Sequence, residues 1–596
     1  MNKHLEKLHH KLSLGALFPK KPLVRFVPGF SRCPRGHALK VRKTHTREVV
    51  TLGIGHFLAH ETQGYCPCCK DRPVFPAEEL HQLIPSGAKF GYDVMVHVGV
   101  ALFSRCRNNK EIRNELSEKN INISLREIDY LGRRFVAYLA LVHEQSHLKL
   151  KQFMTSQGGY ILHLDGTCEG DSPHLMSTID GLSKIVMDNI KIPTENARQL
   201  IPFLRNIQRA YGNPIALVHD MGAAIMRAVE EVFPAVPDYI CHFHFLKDIG
   251  KDLFGGDYST IRRHLKTHRI RGHLRKMTKG LSQAIEDDTT TQQCLQRYLS
   301  SKRLHEPETL MQPLVTAYLI INWVLEAKNE SHGFGFPFDR PHLDFYRRLQ
   351  EAYPELKELK QKMTAPSSLM PLALIGKTLA DQALSSTVSR MLEKIRIFDQ
   401  LREAMRIAQR DSTDGLNDEG DAEIKTIQAR LTRFRHSEEI TKLAATTIAY
   451  RKMVKQMDKY WGKLFADPIQ VATKTGFIIV QPQRTNNILE QFFRYLKRDS
   501  RKRSGSHTLT KTLKTMLSQT PLVKNLENPR YMEIILNGEP SLADRFSRVD
   551  IALVRKVFAE AQEDAQKYPK RMTEVFKIPH LPRRLVNVPQ KYASPA

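Results

Sequence analysis

Two stretches decide how this chain is read: Gly158-Gly159-Tyr160-Ile161-Leu162-His163-Leu164-Asp165 and Asn213-Pro214-Ile215-Ala216-Leu217-Val218-His219-Asp220. Each is an apolar run of strand length, opened by Gly or Pro and closed by Asp. A short buried strand of this kind delivers its last side chain to the edge of a sheet, where α/β sites form. A third carboxylate, Glu490, lies in the helical-looking segment Asn487-Ile488-Leu489-Glu490-Gln491-Phe492-Phe493. Alone, each acidic residue is also an ordinary turn or helix-capping residue.

The spacing between the two runs predicts a layout. Leu175 to Ile179 and Lys184 to Met187 read as two further strands, antiparallel to the first. Ala197, Leu200, Ile201, Leu204 and Ile207 then recur on one helical face. After Asp220 come a helix from Gly222 to Phe233 and the strand Tyr239-Ile240. Three strands, helix, strand, helix, strand is the order of an RNase H-like mixed sheet core. In that order the first and fourth strands are neighbours, so Asp165 and Asp220 are expected side by side, with Glu490 joining them from a helix. Three convergent carboxylates suit two magnesium ions, or manganese in their place, held roughly 3.5 to 4 Å apart for in-line displacement at a phosphodiester.

Charge points to the same class of substrate. Lys and Arg number 91 against 63 Asp and Glu, a net charge of +28. Such a surface attracts polyanions, and double-stranded DNA is the expected partner. The longest apolar stretch, Leu314 to Leu325, is interrupted by Thr316, Asn322 and Trp323 and is shorter than the ~20 residues a membrane span needs. It reads as a core helix, with Trp323 a core tryptophan and stacking on an unpaired base the rival role. Met1-Asn2-Lys3-His4 opens no signal peptide, so the expected location is cytoplasmic and nucleoid-associated, with no membrane partner.

Four of the eight cysteines lie between Cys33 and Cys69, too clustered for a disulfide framework. Cys33 with His37, and Cys66 with Cys69, form two ligand pairs flanking a β-branched stretch from Val41 to Leu52, as in a structural zinc site built around a hairpin. Cys68, His45, His56 and His60 compete as ligands. Further on, Asn108 with Glu111 and Ser124 with Glu127 are capping-box patterns opening two helices, and the turn Lys119 to Ile123 between them gives helix-turn-helix geometry. Arg126, Arg133 and Arg134 are expected off the apolar stripe of the second helix, facing DNA; an ordinary αα-hairpin is the alternative. Arg494, Lys497, Arg498, Arg501, Lys502 and Arg503 follow Glu490 and are expected to hold the DNA backbone.

The expected domains are a basic arm over 1–30, a zinc-ribbon-like module over 31–85, a helix-turn-helix DNA-binding domain over 90–150 and the first part of the core over 157–254. An all-helical insertion follows over 255–475, broken by Gly333-Phe334-Gly335-Phe336-Pro337 and the acidic loop Asp411 to Asp421. The last part of the core, carrying Glu490, covers 476–520. A basic C-terminal helical region and tail fill 521–596.

His163-Leu164-Asp165-Gly166-Thr167, Val218-His219-Asp220-Met221-Gly222, Cys241-His242-Phe243-His244, Asn486-Asn487-Ile488-Leu489-Glu490 and Phe493-Arg494-Tyr495-Leu496-Lys497 occur in this order. Together, from about Cys33 to Arg503, the chain resembles DDE transposases of the Mutator-like type and the related bacterial insertion-sequence enzymes. The resemblance implies an RNase H-like catalytic core in which Asp165, Asp220 and Glu490 bind magnesium, interrupted by a helical insertion. It also implies an enzyme that binds the terminal inverted repeats of a mobile element, hydrolyses the phosphodiester at its ends and joins the freed 3′ hydroxyl to target DNA. Synapsis of two ends implies a homodimer or a higher oligomer. The family's C-x-x-H element falls on Cys241 and His244, in a structural or DNA-positioning role. Departures are the Cys33/His37 pair, where two cysteines would be more usual, and a zinc module unusually far ahead of the core. A transposase-derived DNA-binding regulator without cleavage, and a cellular RNase H-like nuclease, are the two alternative functions.

Overall fold

The computed structural model describes residues 21–301, 312–327, 333–362, 372–407, 423–473, 476–566 and 579–582. Most of the expected basic arm, the acidic loop Asp411 to Asp421 and most of the C-terminal tail lie outside these residues. The chain divides into two compact units: Met1–Asp238 with Pro468–Pro482 and Asn486–Ala596, and Tyr239–Asp467 with Gln483–Thr485.

The first unit opens with a small sheet of β1 (Leu23–Phe26), β2 (Lys40–Thr51), β3 (Gly55–Tyr65) and β4 (Val74–Phe75). β2 and β3 form a long antiparallel hairpin registered from Lys40↔Tyr65 to Thr51↔Gly55, and β1 pairs parallel to β3. Val49, Phe57 and Ala59 turn to one face and form a small core with Phe26, Leu80 and Ile84. That alternation is what period-two strands with one buried face require.

Helices Tyr92–Phe103, Asn109–Glu118, Leu125–Gln145 and His147–Ser156 follow. Both capping boxes form: Asn108 with Glu111, and Ser124 with Glu127. Gly99 explains how closely the first of these helices approaches the third, since a Cβ there would sit 2.1 Å from the Phe135 ring. Leu125–Gln145 is packed on most sides, with Ile128, Leu131, Phe135, Tyr138 and Val142 in the main core. Near its start a strip of Arg126, Asp129, Tyr130 and Arg133 stays exposed.

The central sheet contains β5 (Ile161–Thr167), β6 (His174–Asp180), β7 (Val186–Ile192), β8 (Ala216–His219) and β9 (Asp238–Ile240), in the order β7-β6-β5-β8-β9. β5, β6 and β7 are an antiparallel meander. Asp180 closes the β6–β7 turn by accepting the amides of Leu182 and Ser183 together with that of Ile161. The crossover helix Ala197–Tyr211, capped by Asn196 and stopped at Gly212 (φ 86°), returns the chain to β8. β8 lies parallel to β5, from Ile161↔Ala216 to Leu164↔His219. The first and fourth strands are thus neighbours, as expected. The apolar core of this unit runs from Val50 to Val554 and takes in the early helices, both sides of the sheet and the C-terminal helices, so 90–150 shares one core with the sheet. The hairpin β10 (Ile469–Thr473) and β11 (Gly476–Val480) precedes the helix Asn487–Ser504 that carries Glu490.

The second unit is helical, from His242–Thr267 to Ile448–Leu464. The expected start of an insertion at 255 falls inside the unbroken helix His242–Thr267, and the unit itself begins at Tyr239. Asp257 on that helix receives Arg390 and Lys394 of helix Gln382–Met405, and Phe254 packs edge-on against Phe398. Trp323 departs from the core reading. It is 37% exposed, and the Arg348 guanidinium lies 4.6 Å from its ring centroid. Among the described residues no helix is long and apolar enough to cross a membrane.

Candidate functional site

The β5–β8 register decides where the first two carboxylates stand. Leu164 pairs with His219, so Asp165, still paired with Ser177 in β5, and Asp220, just past β8, stand at the same end of adjacent parallel strands. Asp165 is buried, and its Oδ1 accepts the Gly166 amide at 2.7 Å. Burial first, and then the charges of Asp220, Glu490 and Glu195, raise its carboxyl well above the usual carboxylate range; the Gly166 amide opposes the rise. Asp220 Oδ1 accepts the Gly222 amide at 2.9 Å, which tightens the loop after β8.

Glu195 is a fourth acidic residue that the sequence reading missed. A Cβ on Gly222 would lie 2.4 Å from Glu195 Oε1 and 3.0 Å from Asp220 Oδ1, so both carboxylates crowd the same small residue. Burial, then Asp220, raise the Glu195 carboxyl. β7 runs parallel to β5, so its exit, three residues before Glu195, lies at the same sheet edge as the exits of β5 and β8. That edge rule was the available signal; the surrounding Pro193-Thr194-Glu195-Asn196 otherwise reads as a plain helix entry.

Glu490 enters from the first turn of helix Asn487–Ser504. Asn486, at the N-cap, makes no side-chain cap bond there; its fully buried amide is spent on β5. Its Oδ1 pairs with His163 Nδ1 at 2.8 Å and its Nδ2 donates to the Leu164 carbonyl at 3.0 Å, while its own carbonyl accepts the Glu490 amide at 3.0 Å. One side chain therefore ties the Glu490 helix to the strand carrying Asp165.

Convergent carboxylates with a buried member are costly unless a cation or a proton neutralises them. All-oxygen donors of this kind are the chemistry that magnesium and manganese prefer. The oxygens are spread more widely than ligands of a single ion. Among the described residues, the only group of ligand atoms all within 4.8 Å of one another is Cys33, His37, Cys66 and Cys69.

That Cys3His cluster is built by two knuckles. In the first, Cys33 accepts the Gly36 amide and donates its own to His37, with Gly36 at φ 83°. In the second, the Cys66 amide reaches the Pro73 carbonyl and Arg72 donates to Cys69. Sγ of Cys33 and Cys69 are 3.9 Å apart, and His37 Nδ1 is 3.6, 3.8 and 3.6 Å from Cys33, Cys66 and Cys69. Those are the edges of a tetrahedron around an ion with bonds of roughly 2.1 to 2.3 Å, so the four side chains fit zinc. Burial works against ionising Cys33, yet the amides of His37 and Arg35 bring its thiol down to about 6. The hydrogen bond to Cys66, then burial and Cys33, push Cys69 up to about 11. The competing ligands fall away. Cys68 is exposed, while His45, His56 and His60 face Glu61, Glu48 and Thr46.

The expected DNA-facing residues divide. Arg126 and Arg133 are exposed, Arg133 pairing with Asp129 at 3.2 Å. Arg134 corrects the expectation: it is 7% exposed, donates to Tyr138 Oη at 3.2 Å and packs on the Tyr130 and Tyr138 rings. Arg494, Arg501 and Lys502 are exposed; Lys497 pairs with Glu169, and Arg498 lies over Tyr495. Arg503 is half-buried, with its guanidinium 5.1 Å from the Phe103 centroid. In the second unit, Cys241 caps helix His242–Thr267 and His244 lies in its first turn. His242 between them is buried against the Leu464 carbonyl at 2.6 Å, and burial lowers its imidazole to about 3.

No known family's sequence model matches this chain, and no curated protein matches it.

Proposed function

We propose that the chain is a DDE-type DNA transposase with an RNase H-like core, cutting the ends of a mobile element and joining them to target DNA. The observation that supports this reading is that Asp165 and Asp220 stand at one end of two adjacent parallel strands, with Glu490 on a helix near enough that its charge, after burial and Asp220, helps to raise the Asp165 carboxyl. The net charge of +28 supports a polyanionic substrate.

Magnesium or manganese, when bound, supplies activation of a water for attack on phosphorus and neutralises the leaving 3′ oxygen. Asp165, Asp220 and Glu490 would hold the ions, and a bound cation would offset the burial and neighbouring charge that raise the Asp165 carboxyl. The Asp220–Gly222 loop and the Asn486 amide fix the other two carboxylates before substrate arrives, so little reorganisation remains. Glu195 adds a fourth carboxylate beside Asp220. Hydrolysis breaks the bond between phosphorus and the 3′ oxygen, and the freed 3′ hydroxyl attacks target DNA by the same in-line route. Zinc at Cys33, His37, Cys66 and Cys69 holds the N-terminal module folded for end recognition. Cys241 and His244 serve a structural or DNA-positioning role.

The test begins with the DNA flanking the coding sequence, inspected for terminal inverted repeats. Wild-type protein and Asp165→Asn, Asp220→Asn and Glu490→Gln are then incubated with end DNA and magnesium. The wild type should nick at the element boundary and the three variants should bind without cutting. Binding by all four without cutting by any would instead favour the DNA-binding regulator.

A further inference from the structure

A groove of about 600 Å³ opens in the first unit, lined by the early helices on one wall and by Asn487–Ser504 with the segment after it on the other. Two of the expected DNA-facing residues, Arg133 and Arg503, line this one groove although they are far apart in sequence. Lys110 and Lys511 complete four cationic side chains against a single carboxylate, Asp129. Its polar rim is ordered: Ser500 Oγ and Thr512 Oγ1 are 2.6 Å apart, locking the helix of Lys511 against that of Arg503. Its back wall is apolar, formed by Leu102, Phe103, Val136 and Leu496.

Arg503 supplies the most specific signal. Burial is the main force lowering its basicity, opposed by the charges of Cys106 and Asp499, and its Nε is buried with no hydrogen-bond acceptor among the described residues. A partly buried cation is costly, and because the Arg503 side chain lines the groove, an anion there offsets part of that cost. The groove is also separate from the carboxylates. Ser500 and Arg503 lie ten and thirteen residues beyond Glu490, about 15 to 20 Å along the helix axis and turned away from its face.

We infer that this groove binds one unpaired nucleotide, its phosphate on Arg503, Arg133, Lys110 and Lys511 and its base against the apolar wall. A duplex presents phosphates on a convex surface and keeps its bases stacked, so it cannot fill a concave pocket with an apolar floor. A splayed or terminal nucleotide offers an anion and an aromatic face together, the pairing that single-strand sites use. The volume falls within the roughly 300 to 1,000 Å³ typical of small-ligand pockets. Binding here does not depend on the cleavage reading.

The test measures binding in EDTA, so that no strand can be cut whichever way that reading falls. Anisotropy of a labelled single-stranded oligonucleotide is followed for wild type, Lys110→Ala/Lys511→Ala, Thr515→Trp and a control, Lys452→Ala/Lys455→Ala. The last removes two exposed lysines of the other unit. Thr515 is exposed at the groove, so tryptophan there fills the space without changing charge. The groove double variant and Thr515→Trp should each weaken binding about tenfold or more, with wild-type melting temperatures. In the groove double variant the salt dependence should also flatten by about 0.7 per lost contact. A nucleoside monophosphate should compete in the wild type better than inorganic phosphate. Wild-type affinity in Thr515→Trp, an equal loss in the control, or competition by inorganic phosphate as strong as by the nucleotide each overturns the inference.

Discussion

Replacing Asn486 with alanine should damage both stability and cutting, although Asn486 is not one of the carboxylates. Its side chain is fully buried, and its hydrogen bonds include those to His163 Nδ1 at 2.8 Å and to the Leu164 carbonyl at 3.0 Å. Truncation strands both partners away from water, each at about 1 to 3 kcal/mol, so the expected loss is about 2 to 6 kcal/mol. That is a large share of a stability of about 5 to 15 kcal/mol. The functional loss follows from the backbone, because the Asn486 carbonyl holds the Glu490 amide at 3.0 Å and the strap to β5 fixes where that carboxylate points. A displacement of about 1 Å is enough to cost about a hundredfold in rate. Asn486→Asp should be no better, since it turns the donor toward Leu164 into a second acceptor. Urea unfolding would give the first number and single-turnover cleavage the second. An Asn486→Ala protein within about 0.5 kcal/mol of wild type that cuts at the wild-type rate would refute the positioning argument.

Cys66→Ser with Cys69→Ser should abolish bound zinc by elemental analysis and expose the knuckle segments to protease; wild-type protein without zinc would end that account. Arg134→Ala should cost about 1 to 3 kcal/mol through loss of its Tyr138 bond and ring contacts, with end preference unchanged; a stable variant that has lost end preference would return Arg134 to the DNA surface. Asp188 gives a pH signature. Burial raises its carboxyl to about 6, against the hydrogen bond from Gln519. A folded value above the unfolded one means that the folded state binds more protons, so this stabilisation is present at low pH and is lost as pH rises from about 4 to about 6. The loss should be on the order of 2 kcal/mol, and the stability difference between wild type and Asp188→Asn should change across that window; a flat difference would contradict it.

The core was legible because its signals are local. The apolar runs that end at Asp165 and Asp220 and the capping boxes at Asn108 and Ser124 each declare themselves within a few residues, although β5 continues past Asp165 to Thr167. The zinc quartet was legible because thiol and imidazole pairs at short spacing have few other uses. Glu195 was not, since its role depends on a sheet edge shared by strands far apart in sequence. Arg134 misled for a different reason: it follows Leu131 and precedes Tyr138 on one helical stripe, and charge alone suggested solvent where two tyrosines supply a buried seat. Arg133 and Arg503 could not be joined from sequence, because only the tertiary packing puts them in one groove.

The central claim is that Asp165, Asp220 and Glu490 act as one divalent-metal centre, and manganese binding followed by electron paramagnetic resonance tests it most directly. Zinc-loaded wild type, Asp165→Asn, Asp220→Asn and Glu490→Gln would be titrated with manganese without DNA and again with an uncleavable end duplex. The account predicts manganese bound by the wild type, more tightly with DNA, and a sharp loss in each variant, greatest for the buried Asp165. Equal manganese binding by all four proteins would contradict it.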